Sequence, residues 1–87
     1  MAVVFIPAML RDYTGGESRV RVGGRTLRSI IGELEERFPG IKGRLLEGGD
    51  LRSDLAVSVD GELALEGLGE RVREHSEVHF IPPLSGG

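Results

Sequence analysis

From Ala2 to Leu10 every position is apolar. A strand drawn from this run would meet apolar neighbours on both faces and belongs near the centre of a sheet. Pro7 cannot donate a ladder hydrogen bond, so a bulge or a break in pairing is expected there. Arg11 to Glu17 then forms a loop around Gly15-Gly16, and Ser18 to Val22 alternates, with Val20 and Val22 on one side and Arg19 and Arg21 on the other. That pattern predicts a half-buried edge strand, hairpinned to the first. After Gly23-Gly24, Thr26 is an N-cap candidate, and Leu27, Ile30, Ile31, Leu34 and Phe38 recur at helical spacing opposite Arg28, Glu33, Glu35, Glu36 and Arg37. Pro39-Gly40 ends this helix. Gly32 inside it costs about 1 kcal/mol relative to alanine, which a close approach to the sheet would explain.

Ile41 to Leu46 reads as one or two further helical turns before a loop through Gly48-Gly49-Asp50. Val57 and Val59, then Asp60-Gly61, then Leu63 and Leu65 carry the signature of a hairpin with a tight primed turn. Gly67 to Ser76 is a polar connection with a helical turn expected around Glu70 to Arg73. In the last strand Val78 and Phe80 alternate with His79 and Ile81. The order of strand, strand, helix, two short strands and strand predicts an α+β fold, with a mixed sheet and one main helix across one face. That is the β-grasp of ubiquitin, in which the first and last strands lie side by side. Residues 1–81 form the expected domain and 82–87 a flexible tail.

Eighty-seven residues make one domain, since a chain this short buries roughly 60% of its extended surface and cannot support two cores. The net charge of -3 comes from acidic and basic residues mixed along the chain, which argues against nucleic acid as a partner. Arg19, Arg21, Arg25 and Arg28 are the one basic cluster, either a solvated face or a dock for an acidic partner. No apolar run approaches the roughly 20 residues of a membrane span, and the start lacks signal-peptide features, so the cytoplasm is the expected compartment. With no cysteine there is no thiolate nucleophile or thiolate metal site. His75 and His79 are four apart but straddle a loop and a strand, and no serine sits in a nucleophile elbow. No catalytic constellation emerges, and the chain is expected to be a binding or acted-upon protein rather than an enzyme, with no metal.

Attention then moves to Pro82-Pro83-Leu84-Ser85-Gly86-Gly87. Terminal glycines are usually idle, but here two prolines end the strand stiffly and two glycines thin the last residues to bare backbone. Such a tail can thread a narrow nucleotide site and present the Gly87 carboxylate. The ending Phe80-Ile81-Pro82-Pro83-Leu84-Ser85-Gly86-Gly87, the opening Phe5-Ile6-Pro7-Ala8-Met9-Leu10-Arg11 and the hairpin around Asp60-Gly61 resemble the ubiquitin-like sulfur carriers of the MoaD/ThiS family. The stretch from Phe5-Ile6-Pro7 to Tyr13-Thr14-Gly15-Gly16 is most similar to the CysO-type carriers of cysteine biosynthesis, whereas the Phe-Ile-Pro-Pro ending looks like the small subunit of molybdopterin synthase. The longer stretch favours the cysteine type.

This resemblance implies that Gly87 is adenylated and converted to a thiocarboxylate that donates sulfur, with Gly86, Ser85 and Leu84 as the threading tail. It implies a partner-binding patch at Pro7, Leu63, Ile81, Pro82 and Pro83 on the sheet face away from the helix; ordinary core or edge packing is the alternative for Pro7 and Leu63. The implied partners are a ubiquitin-activator-like adenylating enzyme that uses ATP, a sulfur donor, and an accepting synthase. The acceptor is cysteine-synthase-like, with pyridoxal phosphate, or the molybdopterin synthase large subunit; a zinc metalloprotease is a further implied partner. No cofactor is expected on this chain itself. A protein modifier that forms isopeptide conjugates through the same glycine is the other class the pattern allows.

Overall fold

The computed structural model describes residues 1–82, so the expectations placed on Pro83, Leu84, Ser85, Gly86 and Gly87 lie outside the described residues. β1 (Ala2–Phe5) pairs antiparallel with β2 (Arg19–Val22) and parallel with β7 (Glu77–Ile81), the last strand. β7 pairs antiparallel with β5 (Ala56–Val59), and β5 with β6 (Glu62–Leu63). The resulting mixed sheet has the order β2-β1-β7-β5-β6, with the first and last strands together at its centre. This is the β-grasp, and the α+β expectation holds.

The apolar opening run is shared between two elements rather than forming one strand. β1 stops at Phe5, and Pro7 precedes a 3₁₀ turn at Ala8–Leu10. The amide of Ile6 still reaches Ser18 O at 2.8 Å, but Pro7 has no N–H to continue the ladder, and Leu10 N–H turns back to Pro7 O at 2.9 Å. The two-sided burial expected of this strand is also corrected. Ala2 and Val4 are buried, whereas Val3 and Phe5 are half-buried on the face opposite the helix.

α1 (Leu27–Arg37) starts as its sequence predicts. Thr26 Oγ1 accepts the Ser29 amide at 3.2 Å, and Ser29 Oγ accepts the Thr26 amide at 3.2 Å, a capping box with serine in place of the usual Glu or Gln. Leu27, Ile30, Ile31 and Leu34 are buried against Val4, Val20, Val22, Val57, Val78 and Phe80 of the sheet in one core. Gly32, however, does not mark a close approach: a Cβ there would meet nothing within 4 Å.

Ile41 and Leu45 anchor α2 (Lys42–Leu45) in the core. The loop expected through Gly48-Gly49 is instead a small hairpin of β3 (Leu46–Glu47) and β4 (Asp50–Leu51), because φ of 64° and 87° at the two glycines builds a tight primed turn. The Asp60-Gly61 hairpin is as predicted, with φ of 52° and 85°. The helical turn expected around Glu70 to Arg73 lies earlier, at Gly67–Gly69. Residues 70–72 are held extended because they complete the start of α1: Leu27 N–H donates to Glu70 O and Val72 N–H to Arg25 O. Leu68 and Val72 are buried, so this connection is part of the core rather than merely polar.

Candidate functional site

Strand alternation divides β7 between two environments. Val78 and Phe80 point into the core, while Glu77, His79 and Ile81 share the face that no helix covers among the described residues. Strand register then aligns Arg19, Phe5, His79, Ser58 and Leu63 as one rung across all five strands. Ala56 and Ile81 form part of a neighbouring rung. The Phe5 and His79 rings stack with centroids 4.1 Å apart and planes 5° from parallel, and His79 Nε2 lies 3.9 Å from Glu77 Oε1.

Of the patch residues expected from the sequence, Leu63 and Ile81 share this face and stand out, 62% and 46% exposed. They do not form one continuous greasy surface, because β5 lies between them and presents Ser58 and Ala56. Pro7 is half-buried at the end of β1, where with Pro82 it lines a groove beside the chain's exit from the sheet. The basic cluster is divided: Arg19 and Arg21 lie on the open face of the edge strand, Arg25 precedes α1 and Arg28 is on its exposed side. His75 occupies a turn at φ 68°, apart from His79 on its strand. The Phe5–His79 stack and the exposure of Leu65 beside the hairpin were missed from the sequence. Alternation with Val78 and Phe80 could have placed His79 on the open face; its partner Phe5 needed the β1–β7 register.

The strand that carries the tail is pinned at its start. Asp60 Oδ1 accepts the Glu77 amide at 2.9 Å and Oδ2 the Ser76 hydroxyl at 2.7 Å, while Ser76 Oγ accepts the Arg73 amide at 2.9 Å. The Glu77 amide, then the Ser76 hydroxyl, hold the Asp60 carboxyl below its ordinary range, against a smaller opposing effect of burial. This fixes the β5–β6 turn to the base of β7, so the end of β7 is aimed by a rigid frame. Among the described residues no group of three or more His, Cys, Asp or Glu is arranged to hold a metal ion, and no helix is long and apolar enough to cross a membrane.

The model of the ThiS family matches residues 4–87, from the middle of β1 through the last glycine. The chain belongs to the ThiS family. Sulfur carrier protein CysO of Mycobacterium tuberculosis is 33% identical over 89 residues, which cover 97% of this ThiS-family chain and 96% of that protein. A chain in the crystal structure of the Amycolatopsis orientalis BexX/CysO complex superposes with a TM-score of 0.96 at 35% identity, covering 100% of both chains. The molybdopterin synthase sulfur carrier subunit of Pyrenophora tritici-repentis is 32% identical over 83 residues, 92% of this chain and 83% of that one. The ThiS-family match thus includes both the pinned strand and the Gly-Gly ending.

Proposed function

We propose that this ThiS-family chain is a sulfur carrier whose Gly87 carboxylate is activated and then loaded with sulfur for biosynthesis, with cysteine as the product. The observation that carries the reading is the end-to-end likeness to proteins named CysO, joined to a central, pinned β7 that leads directly into Pro82 and the Gly-Gly ending. A carboxylate is a poor electrophile. An adenylating enzyme would join the Gly87 carboxylate to the α-phosphate of ATP and release pyrophosphate. Sulfide then attacks the acyl carbon and AMP leaves, so that the new C–S bond yields a terminal thiocarboxylate. Where the donor is a persulfide, the first product is an acyl disulfide, and a second thiol attacks its outer sulfur to release the thiocarboxylate and leave the donor as a disulfide. The thiocarboxylate sulfur is the nucleophile delivered to an accepting synthase.

In this scheme the carrier is a co-substrate and not a catalyst. ATP and any pyridoxal phosphate belong to its partners, which supply proximity in their own closed sites. The setting is the cytoplasm, where ATP is available. The carrier's share is recognition and delivery: Ile81 and Leu63 on the open sheet face, with Pro7 and Pro82 at the exit, seat the partner, and Pro83, Leu84, Ser85 and Gly86 reach into its site. Delivery to a molybdopterin synthase large subunit is the second reading, favoured by the similarity to the Pyrenophora tritici-repentis subunit; it uses the same tail chemistry with a different acceptor. Incubation with the adenylating enzyme from the same organism, ATP and a sulfur donor should exchange one oxygen for sulfur at Gly87, read by intact and C-terminal peptide mass. An unchanged mass with an enzyme shown to be competent would refute the proposal. Sulfur transfer from the loaded carrier to each candidate synthase then distinguishes the acceptors.

A further inference from the structure

Four separate segments converge where β7 gives way to the tail, and between them lies a groove of about 160 Å³. The 3₁₀ turn contributes Met9 and Leu10, the last turn of α2 contributes Arg44 and Leu45, and the stretch after β4 contributes Arg52, Asp54 and Leu55. Pro7 and Pro82 complete the wall, so the groove adjoins the exit itself. Its floor is fixed, since Leu10 and Leu45 are buried in the core. Its walls are tied by backbone hydrogen bonds, Arg52 N–H to Leu45 O at 3.0 Å and Leu55 N–H to Arg52 O at 3.1 Å. Met9 on the rim is nevertheless 54% exposed.

Size decides the class of occupant. A free small-molecule ligand needs a cavity of roughly 300 Å³ or more, so this groove suits one side chain of another protein better than a metabolite. Charge decides its surroundings. The rim carries two guanidinium groups and one carboxylate, and that carboxylate is already engaged, with Arg52 Nε 3.2 Å from Asp54 Oδ1. Arg44 forms no ion pair among the described residues. On a chain of net charge -3, the groove rim is therefore locally positive.

We infer that this groove is a second anchor for the adenylating partner, taking one of its apolar side chains against Met9 and the Leu45 floor while a neighbouring partner carboxylate pairs with Arg44. The inference rests on the carrier reading proposed above. It gives the tail's direction a physical basis, because a partner held at the groove is held beside Pro82, and five residues beyond Pro82 can reach at most about 17 Å. An anchor at the exit spends none of that reach.

The test is the rate of Gly87 adenylation, followed as pyrophosphate release, at varied carrier concentration with the adenylating enzyme from the same organism. Arg44→Glu should raise KM for the carrier roughly tenfold with kcat little changed, and Met9→Ser should raise it severalfold. Arg25→Glu makes the same change in net charge at the opposite end of the sheet and should leave KM unchanged. Thermal melts of all three should match the parent, since Arg44, Met9 and Arg25 are exposed. Parent-like KM values for Arg44→Glu and Met9→Ser would overturn the groove and leave the carrier reading standing. Equal increases for Arg44→Glu and Arg25→Glu would also overturn it, by showing long-range steering instead of an anchor. If the parent protein itself is not adenylated by a competent enzyme, both proposals fall together.

Discussion

Replacing Asp60 by Asn tests whether a single carboxylate fixes the base of the strand that carries the tail. The substitution keeps the turn geometry, because asparagine tolerates the left-handed φ of 52° about as well as aspartate. It removes the negative charge that accepts from the Glu77 amide at 2.9 Å and the Ser76 hydroxyl at 2.7 Å. Hydrogen bonds to a charged group contribute about 1.5–3 kcal/mol where solvent is excluded, but Asp60 is exposed and solvent screens it. The expected loss at pH 7 is therefore about 1 kcal/mol. The pH dependence follows from the depressed pKa of Asp60. The unfolded chain takes up this proton at roughly pH 4, before the folded protein does, so the carboxylate's stabilisation is complete above that value. It is lost as pH falls through the lower, folded-state pKa. Urea denaturation followed by circular dichroism should thus show Asp60→Asn less stable than the parent at pH 7, with the gap closing between pH 4 and strongly acidic conditions. A gap that stays constant down the acid range would refute the assigned role of the charge.

Two glycines should respond in opposite directions. Gly32→Ala, in the interior of α1 with open space around its Cβ, should stabilise by about 0.5–1 kcal/mol, whereas Gly24→Ala should destabilise by about 1–3 kcal/mol. At Gly24, φ is +139° and a Cβ would lie 2.8 Å from Ser29 Oγ and 3.2 Å from the Ile30 amide nitrogen, at the start of α1; urea midpoints check both. Ile81→Lys should change stability by less than about 1 kcal/mol, since Ile81 is 46% exposed, yet it should abolish measurable binding to the adenylating enzyme in calorimetry. Retained binding would remove Ile81 from the docking face.

Much of the architecture was legible along the chain because each element declares itself locally. Thr26 followed by apolar residues at helical spacing, Asp60-Gly61 between alternating arms, and Val78 and Phe80 against His79 and Ile81 each report which side of an element is buried, whatever the rest of the protein does. The exposed position of Ile81 belongs to this class, and so does the Gly-Gly ending that resembles a sulfur carrier, whereas the outward place of Leu63 was implied only by the family resemblance. What failed were inferences about neighbours. An unbroken apolar run from Ala2 to Leu10 cannot reveal that Pro7 turns its second half into a 3₁₀ segment, nor that one face of β1 is left half-buried, with Phe5 stacked on His79. Gly32 suggested a close approach that the helix does not make, and the polar-looking stretch before β7 enters the core through Leu68 and Val72, tied to the start of α1 by Leu27 N–H on Glu70 O and Val72 N–H on Arg25 O.

The amino-acid order by itself thus determined most of the succession of elements, the buried sides of α1, β2 and β7 and the Gly-Gly ending, because periodicity and turn residues act over a few positions. Only the tertiary structure decided that Asp60, sixteen residues before Ser76, clamps the base of β7, and that Met9, Arg44, Arg52 and Pro82 meet in a groove where the tail leaves the sheet. Those contacts depend on strand register and on how α2 lies beside the 3₁₀ turn that follows β1, and neither leaves a mark in local periodicity.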